Sequence, residues 1–432
     1  MNATFDSIRP ARATTGPRAA ARSAPRRRVA VIGAGPGGLA AALAFHRSGH
    51  EVRLFERQDA VQPLGGAVLL SLPVLSILRD MGVDIRDLGA FGVTEFRNHR
   101  GRLRTRLPFN RRAEERAGLP GWHYGMLRSA AIDRMLQVTP QALLFARRRF
   151  THYVETEESV TAHFEDGSHW EADLLVGADG IRSVVAQQTF GELGLFHCGI
   201  QVWLAWCHCD AVPAGVGWIS HSRHVQASFF PILHEGKPAT EWWLVEPWRE
   251  GQRYEGDVKS GDVKSHLMRH LRGWADPLPQ LAAATDFERH CFRWEVYNRP
   301  ALASWSRGRV SFVGDAVHPV SPYAAYGMGM AIEDGWWLAR CLDGADLARR
   351  DELQHGLSRY DAQRVAYTNK NARMARYMGY LFHRTPWPLS ALRDAVFDHT
   401  GFLEAMLVKN YLKDAEMQME TLPIAPPPGS PA

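Results

Sequence analysis

Three short segments of this 432-residue chain set glycines and carboxylates where a strand gives way to a turn. The first is Gly33-Ala34-Gly35-Pro36-Gly37-Gly38, which follows the apolar run Val29–Ile32 and opens a helical period reaching His46. Such a turn binds the pyrophosphate of a dinucleotide. Gly33 permits the tight turn, Gly35 lets the backbone approach the phosphates, and Gly38 lets helix and strand pack closely. The helix N-terminus then faces the anion with free N–H groups and a favourable dipole. Glu56 lies 18 residues past Gly38, at the end of a second strand, Glu51–Glu56. A carboxylate there accepts hydrogen bonds from ribose hydroxyls and disfavours a 2′-phosphate. The second segment is Asp173–Ser183, centred on Gly177-Ala178-Asp179-Gly180. The third is Val310–Pro319, with Gly314-Asp315 and His318. Taken singly, Asp179 and Asp315 read equally well as turn carboxylates or helix caps. The buried strands at 29–32, 174–176 and 309–313 are each followed by glycine, however, and so belong in one sheet with their carboxyl ends facing one crevice.

The elements that must hold these segments alternate along the chain. Helical periods are expected at Leu75–Met81, Ala130–Leu136, Ala331–Leu342 and through most of the stretch to Met419, and Phe150–Phe164 alternates like antiparallel strands. From about 196 to 300 the texture becomes strand-like and rich in Trp and Phe, at Val202–Trp206, Val225–Phe230 and Glu241–Val245. This predicts an antiparallel sheet with one greasy face. The fold class is α/β: a Rossmann-type dinucleotide domain with an inserted antiparallel-sheet substrate domain and C-terminal helices. The expected partition is a disordered basic tail at 1–28 and a discontinuous dinucleotide domain at 29–95, 125–195 and 300–345. A β-rich substrate domain occupies 96–124 and 196–299, a helical region 346–420, and a Pro-rich tail 421–432.

In their order and spacing, the three segments resemble the FAD-dependent aromatic hydroxylases of the para-hydroxybenzoate hydroxylase fold, the group A flavoprotein monooxygenases. The resemblance runs from about Val29 to Tyr380, and Gly125-Met126-Leu127-Arg128 matches a further position of that family. It implies that FAD is held by Gly33, Gly35, Pro36, Gly37, Gly38, Glu56, Arg57, Arg128, Asp179, Gly180, Gly314, Asp315, Gly327 and Met328. Within that set, Glu56 would hold the adenosine ribose, Arg128 the ribityl or phosphate region and Asp315 the ribityl chain. Pro319, Pro322 and the turn to Gly327 would lie by the isoalloxazine ring, with His318, Pro322 and Tyr326 the candidate catalytic residues. Glu333 and Asp334 would open the following helix, where acids suit the dipole. His318 reads as a proton-steering group or as a loop-packing residue. Tyr326 stands where many members of the family place Gln, beside the flavin.

The implied activity is a monooxygenase using NAD(P)H and O2, inserting oxygen through a flavin C4a-hydroperoxide to hydroxylate or epoxidise an apolar, aromatic or polycyclic small molecule. An oxidase or dehydrogenase of the same fold, and a non-catalytic relative, share the FAD motifs. The Trp-x-Trp-x-Ile-Pro motif of flavin halogenases is not matched by Trp203-Leu204-Ala205-Trp206. Only one full glycine fingerprint is present, so NAD(P)H visits as a co-substrate. Trp203, Phe229 and Trp243 are candidate substrate contacts, against the plainer reading that such aromatics form the core behind the sheet.

Composition narrows the partners. The formal net charge is +5, but residues 1–28 hold seven Arg and one acid, Asp6, a net +6 that leaves the rest near neutral. The body therefore gives no reason to expect nucleic acid, and the tail reads as flexible although its composition is also that of a transit peptide. Five cysteines are too few for a disulfide scaffold. Cys207-His208-Cys209 sits in a strand-like stretch without a second zinc-type pair, so no metal is expected. The longest apolar run, Val29–Phe45, is broken by four glycines and a proline and is not a membrane span. A cytoplasmic enzyme follows. The eight arginines between Arg97 and Arg116 read as a solvated hairpin and loop, or as an anion site for NAD(P)H phosphates or an acidic carrier protein.

Overall fold

The computed structural model describes residues 27–62, 65–107, 111–254, 261–324, 326–408 and 412–424. Among these, two sheets dominate. The first is built on Arg28–Ile32, which is apolar on both faces and therefore sits inside, parallel to Glu51–Phe55 on one side and Leu174–Gly177 on the other. Its strand order is Ser306–Arg307, Val310–Phe312, Leu174–Gly177, Arg28–Ile32, Glu51–Phe55 and Leu144–Phe145. The register pairs Ile32 with Gly177 and Gly177 with Phe312. It thereby lines up the three glycine-bearing strand ends at one edge. The helix Pro36–Arg47 covers this sheet and packs along the helix Gly327–Cys341, against which the 34-residue helix Arg350–His383 also lies.

The second sheet is mixed. Its order is Cys291–Asn298, Phe196–Cys207, Lys237–Pro247, Gln226–His234, Val216–His221, Ala90–Asn98, His123–Leu127 and Ala67–Ser71. Side chains alternate between its faces. Trp203, Ala205, Phe229, Trp242 and Leu244 face a closed core under the helices Gly261–His270, Leu278–Ala284 and Phe287–His290. Val202, Leu204 and Trp243 point to the opposite face, towards the first sheet.

Several expectations change. Ala67–Ser71 and His123–Leu127 pair into the second sheet, so that layer extends beyond 96–124 and 196–299, because its edge is completed by sequence-distant strands. Arg27 and Arg28 belong to the fold rather than to the tail: Arg27 pairs with Asp346 at 2.6 Å and Arg28 opens the first strand. Residues 1–26, which hold the rest of the expected basic tail, lie outside the described residues, as do 425–432. Leu422 is buried, and its carbonyl accepts from Arg116 at 2.7 Å, so the Pro-rich end begins later than 421. The helix expected from Ala331 begins at Gly327. In the arginine stretch, Arg106 and Arg97 clamp Glu95, each at 2.6 Å. The Arg104 side chain is only 1% exposed and is held by Asp398 at 2.6 Å. A guanidinium locked beneath the helix Leu389–His399 is a structural tie, not part of a solvated loop.

Candidate functional site

The two sheets enclose a cleft of about 1280 Å³. Residues far apart in sequence meet on its first-sheet side: Arg57, Arg128, Asp179, Gly180, Asp315, Pro322, Tyr326, Gly327 and Met328. The glycine turn sits beside them, and backbone geometry explains its composition. Gly33 has a φ of +106°, and a Cβ there would stand 2.4 Å from the Ala178 carbonyl. A Cβ on Gly38 would stand 1.9 Å from the Gly33 carbonyl, so only glycine allows the helix to start this close to the strand. Gly35 has nothing within 4 Å of its Cβ position, leaving an open approach to the helix N-terminus. That terminus has no side-chain cap, so the first-turn N–H groups of Gly37 and Gly38 remain available. Glu56 accepts the Ala34 and Gln58 N–H groups, each at 3.0 Å, which fixes the carboxylate at the turn while leaving lone pairs free.

The two crevice aspartates differ. Asp179 accepts from Ser183 and from the N–H groups of Val184 and Val185 at 2.7 and 3.3 Å, so it does the work of a helix cap while lining the cleft. Asp315 takes no hydrogen bond from the described residues. Its carboxylate is exposed to the open cleft. The enclosing cleft walls raise its pKa against the pull of His318, Arg128 and Arg299. Arg128 Nε is buried without a partner. These two groups, one carboxyl and one guanidinium, are unpartnered polar ends at the floor of the cleft.

Beneath Pro319–Tyr323 and the start of the helix Gly327–Cys341 lies a buried polar network. Ser71 donates to the Tyr326 hydroxyl at 2.8 Å, and Tyr326 donates to Glu333. Arg364 is fully buried and pairs with Glu333 at 2.9 Å and Asp334 at 2.8 Å. Burial raises the Tyr326 phenol well above its usual pKa and raises Glu333, while His318 and Arg364 hold Asp334 low against burial. Glu333 and Asp334 therefore do not open the helix. They sit in its second turn, facing Arg364. His318 is buried, stacks on Trp305 with ring centroids 4.7 Å apart, and bonds Asp334 through Nε2. It packs the loop from behind and does not line the cleft, which removes it from the catalytic candidates.

Of the candidate substrate contacts, Trp243 lines the cleft. Trp203 and Phe229 are both fully buried in the core behind the sheet, because they fall on the other face of the pleat. Residues overlooked in the sequence include Arg299, which ties the Ala316 carbonyl at 2.6 Å to that of Ile181, together with Arg364 and Glu241. Cys207 sits among core residues, with Sγ 3.6 Å from the Leu281 carbonyl. A group with metal-ligand chemistry lies elsewhere: Glu246, His266 and His270 bring donor atoms within 4.8 Å of one another. Glu246 also accepts from Gln201 and Trp203 at 2.7 Å each, so the cluster pins the helix Gly261–His270 to the sheet. No helix among the described residues is long and apolar enough to cross a membrane.

Comparison with known proteins agrees with this geometry. A family model described as the FAD binding domain matches residues 26–375. The chain is 28% identical over 379 residues to the 3-amino-4-hydroxybenzoate 2-monooxygenase PtmB3 of Streptomyces platensis, covering 85% of this chain and 92% of that protein. It is 28% identical over 365 residues to the 6-hydroxynicotinate 3-monooxygenase of Pseudomonas fluorescens, covering 81% and 90%. The crystal structure of Klebsiella pneumoniae HpxO complexed with FAD and uric acid superposes with a TM-score of 0.75 at 23% identity, over 91% of this chain and 96% of that one, a likeness of fold. The chain belongs to the FAD binding domain family, among the group A FAD-dependent aromatic hydroxylases.

Proposed function

We propose that this enzyme uses NAD(P)H and O2 to hydroxylate or epoxidise an apolar, aromatic small molecule held between its two sheets. One observation carries the proposal: a single cleft joins phosphate- and ribityl-type partners on one wall to an apolar wall of Val202, Leu204, Trp243 and Trp294 on the other. At about 1280 Å³ it exceeds the ~300–1000 Å³ of a pocket for one small ligand, so cofactor and substrate fit side by side.

The residues present fit FAD. The uncapped helix N-terminus and the open space over Gly35 suit the pyrophosphate, and Glu56 at the second strand end suits the adenosine ribose. Arg57 lies close by and is exposed to the cleft. Unpartnered Arg128 and Asp315 suit the ribityl and phosphate region, and Gly180, Gly327 and Met328 line the remaining space. Bound there, FAD supplies the redox and oxygen chemistry, and the protein supplies orientation and a dry site. Tyr326 closes the floor. Its raised pKa keeps the phenol protonated, and its hydrogen bond to Glu333 fixes the hydroxyl, so it acts as a neutral wall rather than a base. NAD(P)H visits transiently. The work is done in the cytoplasm, a reading supported by five free cysteines.

The test is to purify the full chain, record its visible spectrum, and follow O2-dependent NAD(P)H oxidation against a panel of aromatic compounds. The expected result is a yellow protein whose NAD(P)H use rises with one compound and whose product is heavier by one oxygen atom. A protein that takes up no FAD, or a product without added oxygen, overturns the reading.

A further inference from the structure

The apolar wall of the cleft holds one carboxyl with little to do. Glu241 stands on the strand Lys237–Pro247, two residues from Trp243 and on the same face. It is 2% exposed. Its Oε1 accepts the Ala67 N–H at 2.8 Å, while Oε2 receives no hydrogen bond from the described residues. No lysine or arginine among the described residues pairs with it. A buried carboxyl with a single neutral partner is costly to the fold, and burial pushes this one up to about 8. A ligand that brings a second donor to Oε2 offsets that cost and favours the carboxylate, the form in which Oε2 accepts.

Cations are scarce on this wall. Among its lining residues Arg293 is the sole guanidinium, and it is committed: Nε donates to Gln201 at 2.7 Å and Nη2 to Glu295 at 3.0 Å. Glu250 and Glu295 line the same side. A substrate carboxylate placed here would meet the like charge of Glu241, Glu250 and Glu295, while Arg128 and Arg182 lie elsewhere on the cleft, whereas a phenolic O–H or a ring N–H would find an acceptor set in an apolar surface.

We propose that Glu241 anchors the substrate through Oε2, and that the substrate is a flat, uncharged aromatic molecule carrying an O–H or N–H donor rather than an aromatic carboxylate. This rests on the cleft being the substrate site of the proposed enzyme, and it names the substrate class for that site.

The experiment uses the full-length, FAD-loaded protein and three matched probes: 2-naphthol, 2-methoxynaphthalene and 2-naphthoate. Binding is measured by titration calorimetry at a pH above about 8, where Glu241 is ionised and Oε2 accepts. Wild type is expected to bind 2-naphthol about tenfold or more tighter than either other probe, a preference of one hydrogen bond to a buried acceptor. Glu241→Leu brings the naphthol-to-ether ratio close to one. Glu241→Gln, whose amide oxygen stays with the Ala67 N–H and turns its NH2 towards the ligand, loses the preference as well. FAD content per chain stays at the wild-type value in both. Should the Leu variant not fold, Glu241→Met takes its place. An unchanged ratio in the Leu or Met variant overturns the proposal and leaves Glu241 a structural tie to Ala67. Tightest binding of 2-naphthoate, or no binding of any probe to wild type, overturns it as well. The readout is binding alone and does not depend on oxygen insertion: a protein that prefers 2-naphthol but makes no oxygenated product keeps Glu241 as an anchor and loses the monooxygenase reading.

Discussion

The two walls of the cleft meet their ligands by different means. On the Gly33 side, much of what faces the cleft is backbone: an uncapped helix start, glycines that no Cβ can replace, and strand ends brought level by a parallel register. On the Trp243 side, the facing groups are side chains of an open pleated sheet, and the residue next along each strand faces a core instead. A wall made of backbone fixes a ligand common to many sequences. A wall made of alternating side chains changes its ligand with single substitutions. The first therefore suits a cofactor and the second a substrate.

This contrast is most exposed at Trp203, one position from the cleft-lining Val202 and Leu204 but on the opposite face. Trp203→Ala is expected to cost about 3–5 kcal/mol of stability, read as a lowered denaturation midpoint, while the folded fraction keeps its substrate affinity. Loss of affinity without loss of stability would merge the two faces. Next is the pH response of Glu241. Its folded pKa of about 8 lies above the usual carboxyl value, so the folded state holds the proton more tightly. That contribution is present at low pH and is lost as pH rises from about 4.5 through 8. Glu241→Gln removes it and should gain on wild type by roughly 4 kcal/mol between pH 5 and 9, measured by urea unfolding across that range. A constant difference between the two proteins would contradict it.

On the cofactor wall, Asp315→Asn removes a carboxylate that has no other partner among the described residues. FAD retention should weaken about tenfold or more, followed by fluorescence of released flavin, with probe binding on the opposite wall unchanged. The smallest effect belongs to Trp243→Ala. Because Trp243 is only part-buried and faces the cleft, the melting temperature should move little, while the Michaelis constant for the aromatic substrate rises several-fold and FAD content stays the same. If FAD content falls instead, the walls do not divide the labour as drawn.

What the sequence determined by itself is the local machinery of the first wall. Gly33 to Gly38, Glu56, Asp179 and Asp315 are legible because a strand, a turn and a helix start are contiguous in the chain, and their chemistry depends on short spacings. The same locality exposes the strand periods of 196–300 and hence a sheet with two faces. Which face looks into the cleft is not a local property. It depends on where the helices Gly261–His270 and Leu278–Ala284 dock, so Trp203 and Phe229 are indistinguishable from Trp243 until packing assigns them. The charged core is equally hidden: Glu333 and Asp334 resemble helix-opening acids until Arg364, some thirty residues away, is placed between them. Glu241 gives no signal at all, because its importance lies in what surrounds it: the Ala67 N–H from a strand 174 residues distant, and an apolar wall whose arginine, Arg293, is committed elsewhere. Backbone turns are written in neighbouring residues, whereas burial, pairing and the direction a side chain faces are set by the whole fold, and tertiary structure alone decided them.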